Sequence, residues 1–409
     1  MFLATRGQGS SRYSAFFRGL TLTLGLGFVS CFGRKTAELD HFRILVGDTV
    51  KISTSHSYCW YPTVHRFPTG EILTTMRMSP DDTNPEGEFS AYCLSKDGGR
   101  TWGRRYTIGA GANVDAAYSQ VPLEDGIWVL GSGYLSLEPY PSGPKTHFHA
   151  ALTQFSRVGM DVRQVRDASI YLSEPPQFEP VEIQGVKTTD ASQLASVPTA
   201  VPFGAIIFGT RGEWLSTLYY TTKRDPRYRR LVLIRSFDHG HTWNEDGVIA
   251  GLRPNEKPWP WMGNEGPNEA GLVRLSDGRL FCIFRTGTYD HYLGRTWSSD
   301  DGKTWSPPTS TGFKGVAPHL RSMSNGLLVC TFGRPGVTIM FSPNEGKSWA
   351  AITPIFKGKS TGYTDVIELR AGKLFVVYDS LLPGGSPVPS AGASAEYAVN
   401  GTFVDVQTR

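Results

Sequence analysis

From about residue 45 onward the chain alternates short apolar runs with glycine-bearing polar breaks. Six times an apolar run meets a glycine and a second apolar run follows: YPTVHRFPTGEILTTMR, SQVPLEDGIWVLGSG, SVPTAVPFGAIIFGTR, GLVRLSDGRLFCIFR, HLRSMSNGLLVCTFGR and DVIELRAGKLFVVYD. The glycines at the breaks are Gly70, Gly126, Gly204, Gly278, Gly326 and Gly372. Two strand-compatible runs flanking a short Gly segment predict a β-hairpin. A second, shorter pattern recurs four times: SKDGGRTW from Ser95, SFDHGHTW from Ser236, SSDDGKTW from Ser298 and SPNEGKSW from Ser342. In it Ser and Asp can accept hydrogen bonds from nearby backbone N–H groups, Gly can take a positive φ, and Trp offers an apolar face to pack below the turn. Asn344 stands where the other copies have Asp, so the position asks for a turn-forming side chain rather than for an acid.

These turns follow hairpins and precede a further strand, so the unit is strand, Gly turn, strand, strand, eight-residue turn, strand. Six such units predict an all-β, six-bladed β-propeller over residues 45–409, in which sheet faces are buried between neighbouring blades. The last hairpin is followed only by the closing run TFVDV, so the early strand FRILVGD is expected to complete the final blade.

Composition suits this reading. The chain has 409 residues, 46 Gly, 27 Pro and 12% aromatics, the mix of short strands and tight turns. Its net charge of +4 is spread without long basic runs, which argues against nucleic acid as a partner. Residues 1–31 differ: Arg6, Arg12 and Arg18 precede the apolar run LTLTLGLGFVSC. This has the layout of a secretory signal and is too short to favour a membrane-spanning helix. Cys31 fits two readings, plain cleavage nearby or lipid attachment and with it membrane anchoring; both place the mature protein outside the cytoplasm. Cys59, Cys93, Cys282 and Cys330 fit no zinc spacing and are expected as buried thiols.

In such a blade the start of the first strand and the end of the second lie on one face, opposite the eight-residue turns. That rule collects Trp60, Arg77, Asp81, Asp82, Arg211, Glu265, Glu269, Arg285, His319, Arg334, Tyr363 and Asp379 on one face. Taken singly, each suits a solvated loop. As a set, arginines, carboxylates and a tyrosine from distant parts of the chain form a candidate site for an anionic ligand.

The eight-residue turns look like Asp-boxes (BNR repeats), and the whole of residues 45–409 resembles the sialidase (neuraminidase) superfamily, bacterial exo-sialidases in particular. NEAGLVRLSDGRLFCIFR resembles the segment whose Glu assists the nucleophile and whose Arg binds the substrate carboxylate, which implies those roles for Glu269 and Arg285. GRPGVTIMFSPNEGKSW resembles a segment with another carboxylate-binding Arg, implying Arg334; GYTDVIELRAGKLFVVYD resembles the nucleophile segment, implying Tyr363. RMSPDDTNPEG falls where the family has an acid/base Asp, implying Asp82, with Asp81 beside it. The sequence departs from the family at WYP, where Trp60 replaces the first arginine of the usual three; Arg66 and Arg77 are the nearby candidates to compensate.

The resemblance implies a glycoside hydrolase that removes terminal sialic acids from glycoconjugates with a Tyr nucleophile, and it implies neither a cofactor nor a metal. Trp60 keeps two alternatives open: a propeller exo-glycosidase or lyase acting on uronic-acid-containing glycans, and a non-catalytic glycan-binding propeller.

Overall fold

The structure is a computed structural model. It describes residues 35–39, 42–55, 59–67, 69–78, 89–108, 114–122, 126–134, 137–139, 148–150, 153–161, 179–184, 200–222, 225–288, 290–381 and 397–408. Cys31 and the N-terminal signal-like segment lie outside these residues, as do Asp81 and Asp82.

The described residues form an all-β propeller. Three sheets are four-stranded antiparallel meanders: Cys59–Arg66 through Tyr106–Ile108, Asn268–Arg274 through Thr309–Lys314, and Val316–Ser322 through Ala350–Phe356. A fourth sheet closes the two ends of the chain together. In it Phe42–Ser55 pairs with Tyr397–Thr408, which pairs in turn with Lys373–Leu381 and Thr364–Arg370. The early FRILVGD segment therefore sits beside the closing TFVDV strand, as the repeat pattern predicts.

The expectation of six separate blades is corrected here: the propeller has five blade sheets, not six. The second and third hairpin repeats lie in one eight-stranded sheet, because Glu179–Gln184 pairs in parallel with Thr242–Ala250, Glu182 opposite Thr242. Each of these strands ends an antiparallel run, and pairing them covers two edges that would otherwise offer unpaired N–H and C=O groups.

The first strands of the hairpin repeats pack on one another in a closed ring, Cys59–Arg66 meeting Thr364–Arg370 at the seam. Core layers lie between sheets. One joins Leu231, Leu233 and Leu215 to Leu272, Leu280 and Phe284. The next joins Phe281 and Ile283 to Leu328, Cys330 and Met340. Strands such as LFCIFR and LVCTFG are buried at every position, which is why their sequences read as continuous apolar runs rather than alternating ones. Cys59, Cys93, Cys282 and Cys330 are buried free thiols, and burial pushes the Cys93 thiol up to about 12.

Gly70, Gly278, Gly326 and Gly372 all turn their hairpins at positive φ. Gly204 does not. It lies inside the continuous strand Ala200–Phe208, at an irregularity of the register, and a Cβ there would stand 2.3 Å from the Ala270 carbonyl oxygen of the neighbouring inner strand. The real turn falls at residues 209–213, with Gly209 N–H donating to the Glu213 carbonyl. Arg211 consequently sits on the hairpin-turn face, over the Phe237 ring of the second Asp-box, and not on the opposite face where the sequence pattern put it.

The four Asp-boxes share the serine and Asp/Asn bonds, and the first three also bond the Trp Nε1 to the box glycine carbonyl, whereas Trp349 Nε1 in the fourth has no partner among the described residues. In the third, Gly302 N–H donates to Ser298 Oγ at 2.8 Å and Thr304 N–H to Asp300 Oδ1 at 2.9 Å. Thr304 Oγ1 donates to Asp300 Oδ2 at 2.6 Å, and Trp305 Nε1 to the Gly302 carbonyl at 2.9 Å. In the fourth, Asn344 Oδ1 accepts from Ser348 N–H while its Nδ2 donates to Ser348 Oγ, so the amide reproduces the carboxylate's contacts with one bond reversed. Each box glycine has a second task. A Cβ on Gly302 would lie 2.2 Å from Leu233 and one on Gly346 2.3 Å from Phe281, both in the preceding sheet. The first, third and fourth boxes thus seat on a neighbouring sheet, whereas Gly240 of the second packs on Trp214 of its own sheet. The residue before the glycine adds charge to this seam: Asp301 binds Arg235 and Arg274, and Glu345 binds Arg279.

Candidate active site

Opposite the boxes, several first strands begin with a bulge. Tyr61, Glu269 and Ala317 all have positive φ (54, 35 and 48°), each at a register shift against the second strand of its sheet. A bulge bends the strand and re-aims a side chain. The sequence carries a faint signal of it: WYPTV, NEAGL and VAPHL align with Tyr61, Glu269 and Ala317 in the same place.

Glu269 is the centre of the constellation. It is 5% exposed, and its Oε1 accepts from Tyr363 Oη at 2.5 Å and from Arg285 Nη1 at 2.7 Å. Burial works to raise the Glu269 carboxyl, but the Arg285 charge and hydrogen bond, the Tyr363 hydroxyl and Arg334 outweigh it and hold the group below its ordinary value. Tyr363 is pushed the other way, well above an ordinary phenol, first by burial and then by the neighbouring Glu269 carboxylate. The pair is therefore a neutral phenol hydrogen-bonded to an ionised carboxylate.

Around it the donors are differently occupied. Arg285 bonds through each of its nitrogens: Nε to the Gly287 carbonyl at 2.7 Å, Nη1 to Glu269 and Nη2 to Glu265 at 2.8 Å. Glu265 also binds Arg229 at 2.5 Å. Arg334 spends only Nε, on the Thr361 carbonyl, and lies with its guanidinium carbon 5.9 Å from the Tyr363 ring centre. Among the described residues no partner is recorded for its two terminal nitrogens. Thr361 is itself pinned by Asp379, which accepts from Thr361 N–H at 2.8 Å, from Thr361 Oγ1 and from Ser360 Oγ at 2.7 Å. Asp379 thus sits where the front-face rule put it, buried behind the loop that carries Tyr363.

The floor is aromatic. Tyr61 meets the Tyr363 ring edge-on at 4.2 Å, and Phe203 lies 6.4 Å from it. Trp60 stands edge-on to Tyr61 at 5.5 Å and to Tyr397 at 6.4 Å. Arg77 is half-buried opposite Trp60 on the second strand and is already engaged in an interaction. Arg66 donates to the Leu369 carbonyl at 2.6 Å, near the Gly70 turn, so it stands at the far end of the strand from Trp60. His319 is deeper than the sequence suggests: it is buried mid-strand with Nδ1 3.4 Å from Asp365 Oδ1. Asp365 also caps Val64 N–H and faces Arg321. Burial alone would raise it, but Arg321 and His319 hold it far below the usual range.

The sequence pattern missed Tyr61, Arg229 and Tyr219, whose ring packs beside Phe203 and Tyr363 with the Arg229 guanidinium carbon 5.4 Å from its centre. Tyr61 was overshadowed by the Trp before it; Tyr219 and Arg229 sit in strands with no repeat motif at their front ends. Two grooves of about 460 and 560 Å³ exist elsewhere, one beside the Gly70 turn and one at the rim near Trp259 and Trp305. Neither is lined by Tyr363, Glu269, Arg285 or Arg334, and neither gathers a comparable set of reactive groups. No group of His, Cys, Asp and Glu able to hold a metal ion occurs among the described residues.

Residues 187–376 match the family of the BNR repeat-like domain. Among solved structures, the chain is similar to a protein of unknown function from Dyadobacter fermentans, with TM-score 0.68 and 18% identity, covering 89% of this chain and 99% of that one. It is similar to the Trypanosoma rangeli sialidase solved with sialic acid, at TM-score 0.51 and 15% identity over 88% of this chain and 57% of that one. It is also similar to the Penicillium chrysogenum alpha-L-arabinanase solved with arabinobiose, at TM-score 0.55 and 16% identity over 87% and 98%. Repeat and fold together make this chain a β-propeller that carries a BNR repeat-like region over residues 187–376. It shares its fold with these sialidase and arabinanase structures.

Proposed function

We propose that the protein is a sialidase-like glycoside hydrolase that removes terminal sialic acids from glycoconjugates. The observation that carries the reading is the buried 2.5 Å hydrogen bond from Tyr363 Oη to Glu269, with Arg334 beside the same ring. A sialic acid bears a carboxylate at its anomeric carbon, which repels a carboxylate nucleophile and tolerates a neutral tyrosine. Tyr363 Oη attacks the anomeric carbon as its proton passes to Glu269, so no free phenolate forms. The bond to the aglycone oxygen breaks, and that oxygen takes a proton from Asp82. Water, deprotonated by Asp82, then attacks the same carbon and releases the sugar, and Glu269 returns its proton to Tyr363. Asp82, with Asp81 next to it, enters from the family pattern of its loop. The signal-like residues 1–31 support an extracytoplasmic place of action.

The test is trapping with a fluorinated sialic acid followed by peptide mass spectrometry. An adduct on the peptide bearing Tyr363 supports the reading; an adduct on any other residue, or cleavage of a fluorogenic sialoside at the wild-type rate by Tyr363→Phe, rejects it. A second reading, hydrolysis of a uronic-acid-containing glycan, draws on the aromatic pair Trp60 and Tyr61 where the family has its first arginine. Turnover of uronate oligosaccharides without sialoside cleavage would select it.

A further inference from the structure

We infer that the protein holds uncharged sugar units at a second site, the rim groove beside Trp259 and Trp305, apart from the site at Tyr363. That the ligand is a sugar rests in part on the glycan-hydrolase reading just proposed; the groove itself follows from its own residues. Its volume of about 560 Å³ lies within the range of small-molecule sites. Two half-buried indoles line it, Trp259 and Trp305, together with the exposed Val248. Both indoles spend their N–H inside the protein. Trp259 Nε1 donates to Glu256 Oε1 at 3.1 Å, and Trp305 Nε1 to the Gly302 carbonyl at 2.9 Å. What they offer the groove is therefore ring surface. Trp259 is also held in place: its ring stacks on Trp261 at 5.2 Å, and Trp261 lies 6.5 Å from the Phe284 ring. One face of Trp259 is backed, which leaves the other for the groove. Size alone does not bring rings together. The groove beside the Gly70 turn has Phe403 as its one ring, among Arg66, Arg100, Arg370 and Lys373.

The polar groups around these rings choose the ligand. The Glu256 carboxylate accepts from Arg253 N–H at 2.9 Å as well as from Trp259, and it keeps lone pairs for further donors. Arg253 is exposed, and among the described residues no partner is recorded for its guanidinium. Arg230 lines the same groove with its charge answered by Glu245 at 3.3 Å. Both signs are present and neither dominates, which suits an uncharged ligand. A sugar fits on two counts. Its hydroxyls donate and accept, so they can meet Glu256 and Arg253 side by side. Its C–H face is apolar and lies flat against an indole. A polyproline helix also favours aromatic grooves, but it offers carbonyl acceptors without N–H donors and would set acceptors against Glu256. The groove shares a loop with the reacting site. From Trp259 to Glu265, which binds Arg285, the chain spans at most about 22 Å at full extension. Gly263 N–H on Thr286 Oγ1 at 3.0 Å and Glu265 N–H on the Thr286 carbonyl at 3.1 Å fix that path. A glycan whose terminal sugar is cut at Tyr363 thus has a hold for its inner sugars close by.

The experiment titrates the whole protein by calorimetry with neutral gluco-, galacto-, arabino- and N-acetyllactosamine oligosaccharides. At least one should bind with a Kd of about 1 mM or tighter. Trp259→Ala should weaken that binding about tenfold or more, as loss of an aromatic anchor does. Val248→Arg fills the groove from an exposed position and leaves both indoles in place. It should weaken binding equally, so the result does not depend on how well the alanine variant folds. Both variants should cleave a small fluorogenic sialoside at near the wild-type rate, because that substrate occupies only the Tyr363 site. A saturating dehydrated sialic-acid analogue should leave the neutral oligosaccharide bound. The inference is overturned if none of the oligosaccharides binds, if both variants bind as wild type does, or if the analogue displaces the oligosaccharide. It is overturned equally if a polyproline peptide binds, is lost in both variants, and no saccharide competes with it. Absence of sialoside cleavage by wild type, with the groove results intact, overturns the Tyr363 reading and leaves the groove standing.

Discussion

The two faces of this propeller are built by opposite strategies. On one, four Asp-boxes repeat nearly the same bonds within eight residues of chain, and three of the four seat their glycine on a neighbouring sheet. On the other, no chemical type recurs: Tyr61, Glu269 and Ala317 occupy equivalent bulges and share only a backbone device. Repetition of side chains gives a scaffold whose parts are interchangeable, as Asn344 in place of Asp illustrates. Repetition of backbone with divergent side chains gives a site whose parts are not, because each must meet a different atom of one ligand.

The sharpest break between the faces should come at Tyr363. Tyr363→Phe removes one hydroxyl from a buried pair and should lower turnover roughly a thousandfold or more with the melting temperature nearly unchanged. Glu269→Gln should do the same. The double variant should be little worse than either single one, since the two groups act together. Additive losses in steady-state kinetics would count against a single proton-transfer unit. Wild-type activity should also hold as pH falls to below the ordinary glutamate range. Glu269 is depressed, so it remains the ionised base until the pH drops through its lowered value.

The box face should show the reverse signature, lost stability with retained chemistry. Trp243 is fully buried, and Trp243→Ala should cost about 3–5 kcal/mol in denaturant unfolding. Gly302→Ala adds a Cβ against Leu233 at a φ of 94°, which combines strain with overpacking and should cost roughly 2–4 kcal/mol. Turnover per folded molecule should stay near wild type in both. A selective loss of turnover in fully folded protein would mean that the two faces are coupled.

The same contrast explains what could be read from the sequence. The boxes and the hairpin glycines Gly70, Gly278, Gly326 and Gly372 are local devices, so their residues are adjacent in the chain and announce themselves. Gly204 looks identical in sequence to a turn glycine, yet its cause is the approach of Ala270 from another sheet. The merging of two repeats into one sheet rests likewise on a long-range pairing of Glu182 with Thr242. In the site, Tyr363, Glu269, Arg285 and Arg334 could be picked out by family pattern and strand ends. That Arg285 is bonded at all three nitrogens depends on Glu269 and Glu265, which the front-face rule collects without pairing them to it, and on the Gly287 carbonyl, which no spacing rule singles out. Tyr61 needed the bulge to be known before its ring could be aimed.

A smaller effect should come from the serine that opens a box. Ser298 Oγ accepts the buried Gly302 N–H at 2.8 Å and donates to Asp300 at 2.8 Å. Ser298→Ala leaves that N–H unpaired, so unfolding should show a loss of about 1–3 kcal/mol. Ser95→Ala should match it, because Gly99 N–H donates to Ser95 Oγ in the same way. Unequal losses would show that one box is held more by its neighbour than by its own bonds.

The smallest effect is the most diagnostic of interchangeability. Asp300 is exposed, and the Thr304 hydroxyl and N–H hold its carboxyl down at about 2, with Ser298 assisting. Asn344 makes the equivalent contacts without a charge, so Asp300→Asn should change stability by no more than about 0.5 kcal/mol at neutral pH. The pH dependence should separate the two. A carboxyl whose folded pKa lies below its unfolded value, near 3.9 for an aspartate, contributes stability that is full above that unfolded value. It loses this contribution as pH falls through the folded one. Wild type should therefore weaken relative to Asp300→Asn between roughly pH 4 and pH 2, and Asn344→Asp should import the same acid sensitivity into the fourth box. The measurement is denaturant unfolding of the three proteins across that window. Parallel curves would mean that the carboxylate adds nothing to the box beyond its shape, and the Asp of the motif would then be a steric choice rather than an electrostatic one.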